Sequence, residues 1–424
     1  FAGFRMDALS HLVVDANTVL ELKLNIEDDS VAFSPEMCHQ VFGDSENIFG
    51  YTDLHIRLYY TAASLQTYLG ISYTEKVINI IITFDGVKPD DIAGKLSEVL
   101  APNYMTNTED LIKSLAKEYT FVPHGTLVHS FSIKHEEMPE RKFEAYFCET
   151  TTPGFLAFHT RLQTFLLWYV DAASFIDVDD DQWTFFILFE RYTGSDGHVH
   201  RAVAGLCTVY RYYAYPFHTR PRISQCLVLP PFQRMGLGAQ LLQAVYLHYI
   251  PISSVVDITV EDPSEEFQRI RDYVDVQNCE NLPAFERNNI LNGFTKDMAK
   301  QAQSKYKING RQARRVYEIL RLKYTDISDP RQYQDYRLDI KNRLNAPFQL
   351  LARGKTTYKS VETTNTITIN AICKLSLFII SALRQYSTEL LNFEYENAAR
   401  ILSFVSSICT YSFKHLSLSY MNNF

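Results

Sequence analysis

Two features of this chain have residue types and spacing suited to chemistry. The first is Gln233-Arg234-Met235-Gly236-Leu237-Gly238, set between an apolar run, Ile223–Leu229, and a segment with Leu237, Leu241, Leu242, Val245 and Tyr249 at helical spacing. Pro230-Pro231 ends the run, because proline cannot continue a hydrogen-bonded ladder. The order is strand, tight loop, helix. Backbone N–H groups at a helix start have no partner, and the helix dipole adds partial positive charge. The loop is therefore an anion site suited to phosphate. Gly236 and Gly238 carry no Cβ, so a phosphate can approach and φ can be positive at both. No Gly-Lys-Ser/Thr follows, which excludes a P-loop, and a dinucleotide fingerprint would need a third glycine.

The second feature is a carboxylate at a strand end. In Val255–Glu261, Val256, Ile258 and Val260 alternate with Asp257, Thr259 and Glu261. A strand end beside a phosphate loop is where open α/β sheets bind ligands, so Glu261 is the candidate general base. Asp262 has a structural alternative as N-cap with Pro263 at the first helical position. Asp171 is expected on a core helix, either as a further base or orienting acid, or as an ordinary helix-end carboxylate. Asp177, Asp179, Asp180 and Asp181 form an acidic loop, either solvated or a guide for a cationic substrate. Tyr210, Tyr212, Tyr213 and Tyr215 crowd a strand end with Arg211, where rings can hold a lysine stem. Asp44-Ser45-Glu46 is either a solvated turn or an acidic lip for a basic ligand. The arginines of Thr219-Arg220-Pro221-Arg222 are left unassigned.

The elements that must position these residues form an α/β protein. Residues 1–120 read as a mixed α/β unit: a strand over Thr18–Leu24 and helices over Leu54–Leu69, Asp91–Leu100 and Glu109–Glu118, the last capped by Thr108. Residues 121–262 read as the core domain. It has strands at Thr126–Ile133 and Phe143–Thr150, a helix over Phe158–Ala173, and a hairpin of Trp183–Glu190 and Val203–Tyr210 turning at Thr193–Gly197. The loop unit and the Glu261 strand follow. Residues 263–346 read as helical, with Arg311–Lys323 and Tyr333–Leu344 presenting solvated basic faces. Residues 347–424 lack sustained periodicity and are expected to be a divergent tail, disordered or mistranslated.

At 424 residues, 46% hydrophobic and 21% charged, the composition is that of a folded globular protein with a sizeable core. A net charge of -8 disfavours direct nucleic-acid binding and suits a basic partner. Seven scattered cysteines without Cys-x-x-Cys pairs predict reduced thiols, a cytosolic or nuclear setting and no metal. The apolar stretch Ala371–Leu383 contains Lys374 and is too short for a membrane span, and no signal peptide is expected. The first residue is Phe rather than Met, as in a fragment.

The Gln-x-x-Gly-x-Gly loop resembles the acyl-coenzyme A loop of GNAT acetyltransferases. More widely, QVFGDSENIFGY, RLQTFLLWYVDAASFIDVDDDQW, TVYRYYAYP, TRPRISQ, LPPFQRMGLGAQLL, DITVEDPS and RQARRVYEILRL resemble the type B histone acetyltransferase family over about residues 1–346. The resemblance implies a GNAT core between a mixed α/β N-terminal domain and a helical C-terminal domain. It implies acetyl-coenzyme A as co-substrate, its pantetheine on Cys226, Leu227 and Val228 and its pyrophosphate on Gln233, Arg234, Met235, Gly236, Leu237, Gly238 and Ala239. Glu261 matches the general base, with Asp262 and Asp171 auxiliary; where Asp171 stands the family can carry Glu, whose carboxylate reaches further. Asp44, Ser45, Glu46, Trp183, Tyr210, Arg211 and Tyr212 match contacts to the histone 4 tail. The implied partners are that histone, with histone 3 in the soluble dimer, and a WD-repeat histone chaperone; the implied location is nucleus and cytoplasm. Two alternatives stand beside it: a GNAT enzyme for another protein or a polyamine, and a noncatalytic histone- or coenzyme-binding module.

Overall fold

The computed structural model describes residues 12–26, 30–77, 88–134 and 139–353, with side chains to Ala346. The chain divides into two compact units, up to Pro263 and from Ser264 onward. Cys373, Cys409, the Ala371–Leu383 stretch and nearly all of the expected tail lie outside the described residues.

The first unit opens with a four-stranded sheet. Strands β1 (Leu20–Asn25), β2 (Val31–Phe33), β3 (His55–Thr61) and β4 (Thr67–Ser72) lie in the order β2-β1-β3-β4, with β1 and β3 parallel. The helix expected over Leu54–Leu69 is instead the β3–β4 hairpin. Its period is two: Ile56, Leu58 and Tyr60 are fully buried, while Arg57 and Tyr59 between them are not. Glu118 holds the turn, accepting from the N–H groups of Ala63 at 2.7 Å and Ser64 at 3.0 Å. Helix α1 (Ile92–Val99) forms as expected, capped by Asp91. Helix α2 (Thr108–Leu115) is capped by Asn107 rather than Thr108 and stops short of Glu118. The amide of Asn107 is one residue better placed, accepting from Glu109 N–H at 2.9 Å.

The core sheet has six strands: β5 (Thr126–Ile133), β6 (Arg141–Glu149), β7 (Trp183–Thr193), β8 (Val199–Ala214), β9 (His218–Val228) and β10 (Thr259–Val260). Their order is β10-β9-β8-β7-β6-β5, antiparallel except for β9 and β10. The run TFFILFE in β7 is buried on both faces, as befits a central strand. Helix α3 (Phe155–Leu162) continues through a tight turn and a short helix, Leu166–Tyr169. It therefore ends before Asp171, which the sequence placed on it. Trp168 and Phe165 are fully buried where this segment meets the N-terminal sheet, Phe165 lying 4.4 Å from the Tyr60 ring between centroids.

Helix α4 (Leu237–Tyr249) makes the parallel crossover from β9 to β10. It buries Leu237, Leu241, Leu242, Val245, Tyr246 and Tyr249, and the Tyr249 hydroxyl lies 2.7 Å from Thr184 Oγ1 on β7. Burying each such aliphatic side chain stabilises the unit by roughly 1.5–3 kcal/mol. Gly205 on β8 lies opposite Val228 on β9. A Cβ there would meet the Leu227 carbonyl oxygen at 2.7 Å and Val228 Cα at 3.2 Å, both backbone atoms. Gly205→Val is expected to cost about 1–3 kcal/mol by forcing the strands apart. Urea unfolding checks that cost, and an unchanged unfolding midpoint would contradict it.

The second unit is helical: α5 (Glu265–Glu280), α6 (Lys296–Tyr306), α7 (Gly310–Tyr324) and α8 (Pro330–Arg353), with a short helix at Arg287–Leu291. Its core gathers Phe285, Ile290, Met298, Ile308, Val316, Tyr317 and Leu320. The basic faces expected to be solvated are largely engaged. Arg315 pairs with buried Asp272 at 2.6 Å, Arg314 with Asp339 at 2.8 Å, and Arg343 with buried Glu318 at 2.5 Å. Helix α8 runs to Arg353, past the expected end of the domain at 346.

Candidate active site

The loop between β9 and α4 starts with a tight turn at Pro230–Phe232. Left-handed backbone follows at Arg234 (φ 61°) and Gly236 (φ 77°). The expectation of positive φ at Gly238 is not met, because that residue is already in the first turn of α4. Arg234 takes the second left-handed position, at a steric cost of roughly 1–2 kcal/mol for a residue with a Cβ. No side chain caps α4, so its first N–H groups remain open to an outside acceptor. A Cβ on Gly236 would meet nothing within 4 Å. The glycine is thus required by its φ, not by crowding.

Residues missed by motif reasoning hold this loop. Arg141 on β6 is paired with Glu190 at 2.6 Å and directs Nη1 to Met235 Sδ at 3.3 Å. Its guanidinium lies 5.5 Å from the Phe232 ring centre. His129 on β5 lies 2.9 Å from Gln240 Oε1 on α4. These residues lie far upstream, so no local spacing signals them. Gln233 Nε2 donates back to the Val228 carbonyl at 3.0 Å.

Strand β9 is paired on both sides at Arg222 and Ile223, where β10 runs beside it, and at Thr219, which an isolated bridge joins to Val255. Among the described residues no strand covers residues 224–228 on that edge. Leu229 N–H donates to Ala204 O at 2.9 Å across the β8 ladder. By alternation, Leu227 also turns toward β8, while the N–H groups of Cys226 and Val228 turn to the open edge. An extended ligand chain can pair there.

Glu261 closes this edge. Its N–H donates to Ile223 O at 2.9 Å, extending the parallel ladder by one bond. Its side chain is half exposed, 3.4 Å from Ser224 Oγ and 3.9 Å from Arg222 Nη1. Arg222 in turn lies 4.5 Å from the Tyr212 ring centre. Tyr212 packs on Tyr210 at 4.6 Å, and Tyr210 on Trp183 at 5.0 Å, its partner across the ladder. A hydrogen bond to Asp180, then burial, raise the Tyr210 phenol pKa and keep it protonated. Direct contacts thus collect Trp183, Tyr210, Tyr212, Arg222, Ser224 and Glu261 into one group. Arg211 holds its frame, with Nη1 at 3.0 Å from Glu149 and Nη2 at 2.5 Å from the Asp181 carbonyl.

The strand expected over Val255–Glu261 pairs only at Thr259–Val260, with an isolated bridge from Val255 to Thr219. Strict alternation fails because Asp257 is buried, held by Arg220 at 2.5 Å and 3.2 Å. That pair accounts for one unassigned arginine and Arg222 is the other. Ser264, not Asp262, caps α5, accepting from Phe267 N–H at 3.2 Å. Asp262 is instead an exposed left-handed turn residue with φ 36°.

Asp171 and Glu46 form a second group. Asp171 is 79% exposed and lies 3.2 Å from His39 Nε2; His39 Nδ1 is 3.7 Å from Glu46. Glu46 accepts from Cys38 N–H at 2.6 Å, His39 N–H at 2.9 Å and Asn17 Nδ2 at 2.8 Å. These bonds, that from Cys38 first, lower its pKa and keep it ionised. Asp44 and Ser45 are exposed beside it.

A strand edge opened beside an uncapped helix start, with a carboxylate at the neighbouring strand end, is the working part of a GNAT-like acetyltransferase core. The family model "Histone acetyl transferase HAT1 N-terminus" matches residues 12–171, and "Histone acetyltransferase type B catalytic subunit, C-terminal" matches residues 271–322. The chain is 49% identical to the histone acetyltransferase type B catalytic subunit of Rattus norvegicus, over 80% of this chain and 82% of that protein. For the Homo sapiens protein of that name the identity is 47%, over the same shares. The chain belongs to the histone acetyltransferase type B catalytic subunit family, and it is an enzyme that acetylates histones. A crystal structure of an aminoglycoside acetyltransferase from a soil metagenome covers 34% of this chain and 90% of its own, with a TM-score of 0.22 and 15% identity, too little to argue from.

Membership implies acetyl-coenzyme A as acetyl donor. The residues present fit it: the uncapped start of α4 suits its pyrophosphate, and the open edge at Cys226 and Val228 suits its amide-bearing arm. Among the described residues no group of three or more His, Cys, Asp or Glu is arranged to hold a metal ion, and no helix is long and apolar enough to cross a membrane.

Proposed function

We propose that the chain acetylates lysine side chains of the histone 4 amino-terminal tail by direct transfer, with Glu261 as general base. The observation that carries this is the place of Glu261, half exposed where the open edge of β9 begins and within reach of Ser224 and Arg222. The acetyl donor supplies a thioester carbonyl. Glu261 takes a proton from the substrate ammonium, directly or through one water, because only the neutral amine is a nucleophile. The amine then attacks the carbonyl. A backbone N–H on the Cys226–Val228 edge faces the developing oxyanion, and one such donor is worth on the order of 3 kcal/mol. The coenzyme leaves as its thiol.

Trp183, Tyr210 and Tyr212 offer ring faces to the lysine stem, and Arg211 frames them. Asp44, Ser45 and Glu46 offer an acidic margin to a basic tail. Glu46 does so as a fixed charge, since backbone and amide donors hold it. Asp171, in contact with His39 beside that margin, and Asp262 are the auxiliary acids proposed with Glu261. A WD-repeat histone chaperone and histone 3 bound to histone 4 complete the proposed assembly, in nucleus and cytoplasm.

Initial-velocity kinetics with acetyl-coenzyme A and a histone 4 tail peptide test the direct route. Intersecting reciprocal plots are expected. Parallel plots with an isolable acetylated enzyme would overturn it.

A further inference from the structure

We propose that Cys207 and Cys226 are a peroxide-sensitive thiol pair that closes into a cross-strand disulfide on the coenzyme-binding strand. The two cysteines face each other in the β8–β9 ladder. Because Leu229 N–H donates to Ala204 O, the Ala204–Leu229 pair is a hydrogen-bonded one. Counting along the ladder, Leu206–Leu227 is the next, and Cys207–Cys226 falls at a narrow, non-hydrogen-bonded position. Cα atoms at such positions lie about 4.5 Å apart with side chains turned together, within the range a disulfide spans.

The pair is also asymmetric in access. Cys207 is fully buried and Cys226 only partly. Phe186 is opposite Cys207 on the other side, and its ring lies 6.0 Å from that of Tyr249, so these side chains share the face covered by α4. Cys38, Cys148 and Cys279 are buried, and none is paired with a cysteine in the ladders described. A hydrogen bond to Cys226 and burial hold the Cys207 thiol protonated, so Cys226 meets an oxidant first.

The oxidant class is a hydroperoxide. The Cys226 thiol gives up its proton and its sulfur attacks one peroxide oxygen; the O–O bond breaks, and with hydrogen peroxide the leaving hydroxide takes that proton and departs as water, so Cys226 carries a sulfenic acid. Cys207 sulfur then attacks Cys226 sulfur, the S–O bond breaks, and the departing oxygen takes the Cys207 proton as a second water. Two thiols lose two electrons, and the peroxide gains them. The bond would tie β8 to β9 where the Cys226 N–H faces the open edge, so acetyl transfer falls on oxidation and returns on reduction.

The full chain is treated with hydrogen peroxide and mapped by mass spectrometry without reduction. The expected product is one linked peptide pair joining Cys207 to Cys226, lighter by two hydrogens than the free peptides and lost on dithiothreitol treatment. Cys226→Ser, at a partly exposed site, should leave Cys207 unoxidised. Intact thiols at both positions while other cysteines oxidise would overturn the proposal, as would Cys226 carrying added oxygens without a link, or unchanged oxidation of Cys207 in Cys226→Ser. Acetyl-coenzyme A is expected to slow the linking, an arm that rests on the coenzyme lying along Cys226–Val228. A link that forms at the same rate with coenzyme present would overturn that placement and leave the thiol pair standing.

Discussion

Glu261→Gln is expected to lower kcat by ~10²–10⁴-fold at saturating substrates, the span that a positioned general base contributes. The amide keeps the size of the side chain and can still face Ser224 and Arg222, but it cannot take a proton. The Glu261 N–H bond to Ile223 O is a backbone bond and survives, so β10 stays in register. The KM for acetyl-coenzyme A should therefore hold within about twofold, the pattern of an interaction made only in the transition state. Glu261→Asp should fall between, since its carboxylate is drawn back by one methylene. Measured kcat values for the three proteins decide it. Unchanged turnover in Glu261→Gln would remove the residue from the chemistry.

The second large effect concerns stability of the helical unit. Asp272 on α5 is 1% exposed and accepts from Gln268 at 2.8 Å, Gln312 at 2.9 Å and both Arg315 Nε and Nη2, at 3.1 and 2.6 Å. One carboxylate thus joins α5 to α7. Asp272→Ala leaves two amides and a guanidinium facing a void where their acceptor stood. Breaking a buried charged pair from one side costs ~3–5 kcal/mol. Asp272→Asn keeps acceptor capacity and should lose less. Urea unfolding monitored on the helical signal checks this; a loss under about 1 kcal/mol for Asp272→Ala would mean that the network is solvated in solution.

How far the site could be read from sequence follows from how local each signal is. The loop Gln233–Gly238 and helix α4 were legible because strand, turn and helix are contiguous and change period at Gly236. Glu261 was legible because it ends a short apolar run beside that unit. The partners of Glu261 were harder: Arg222 and Ser224 reach it across a parallel ladder, and pairing register is not written in either segment alone. Arg141 and His129 support the Gln233–Gly238 loop and the start of α4 from strands about a hundred residues earlier. The Leu54–Leu69 error has a different cause. Leu54, Leu58, Leu65 and Leu69 satisfy a helical template by accident, while the alternation through Ile56, Leu58 and Tyr60 is shorter and easily masked. Asp171 was placed on a helix because Phe158 to Tyr169 keeps a helical period; the chain obeys it to Tyr169 and then turns at Val170. Asp257 and Arg220 show where alternation misleads, since an ion pair lets a charged residue be buried next to buried Ile258.

The central proposal is that this site passes acetyl to a basic histone tail. The most direct measurement is transfer from acetyl-coenzyme A to a peptide of the histone 4 amino-terminal tail by the full chain, beside a scrambled-charge peptide and polyamines. Robust transfer to the tail peptide and little to the others is expected. Coenzyme binding without transfer to any amine, or equal transfer to all of them, would contradict it.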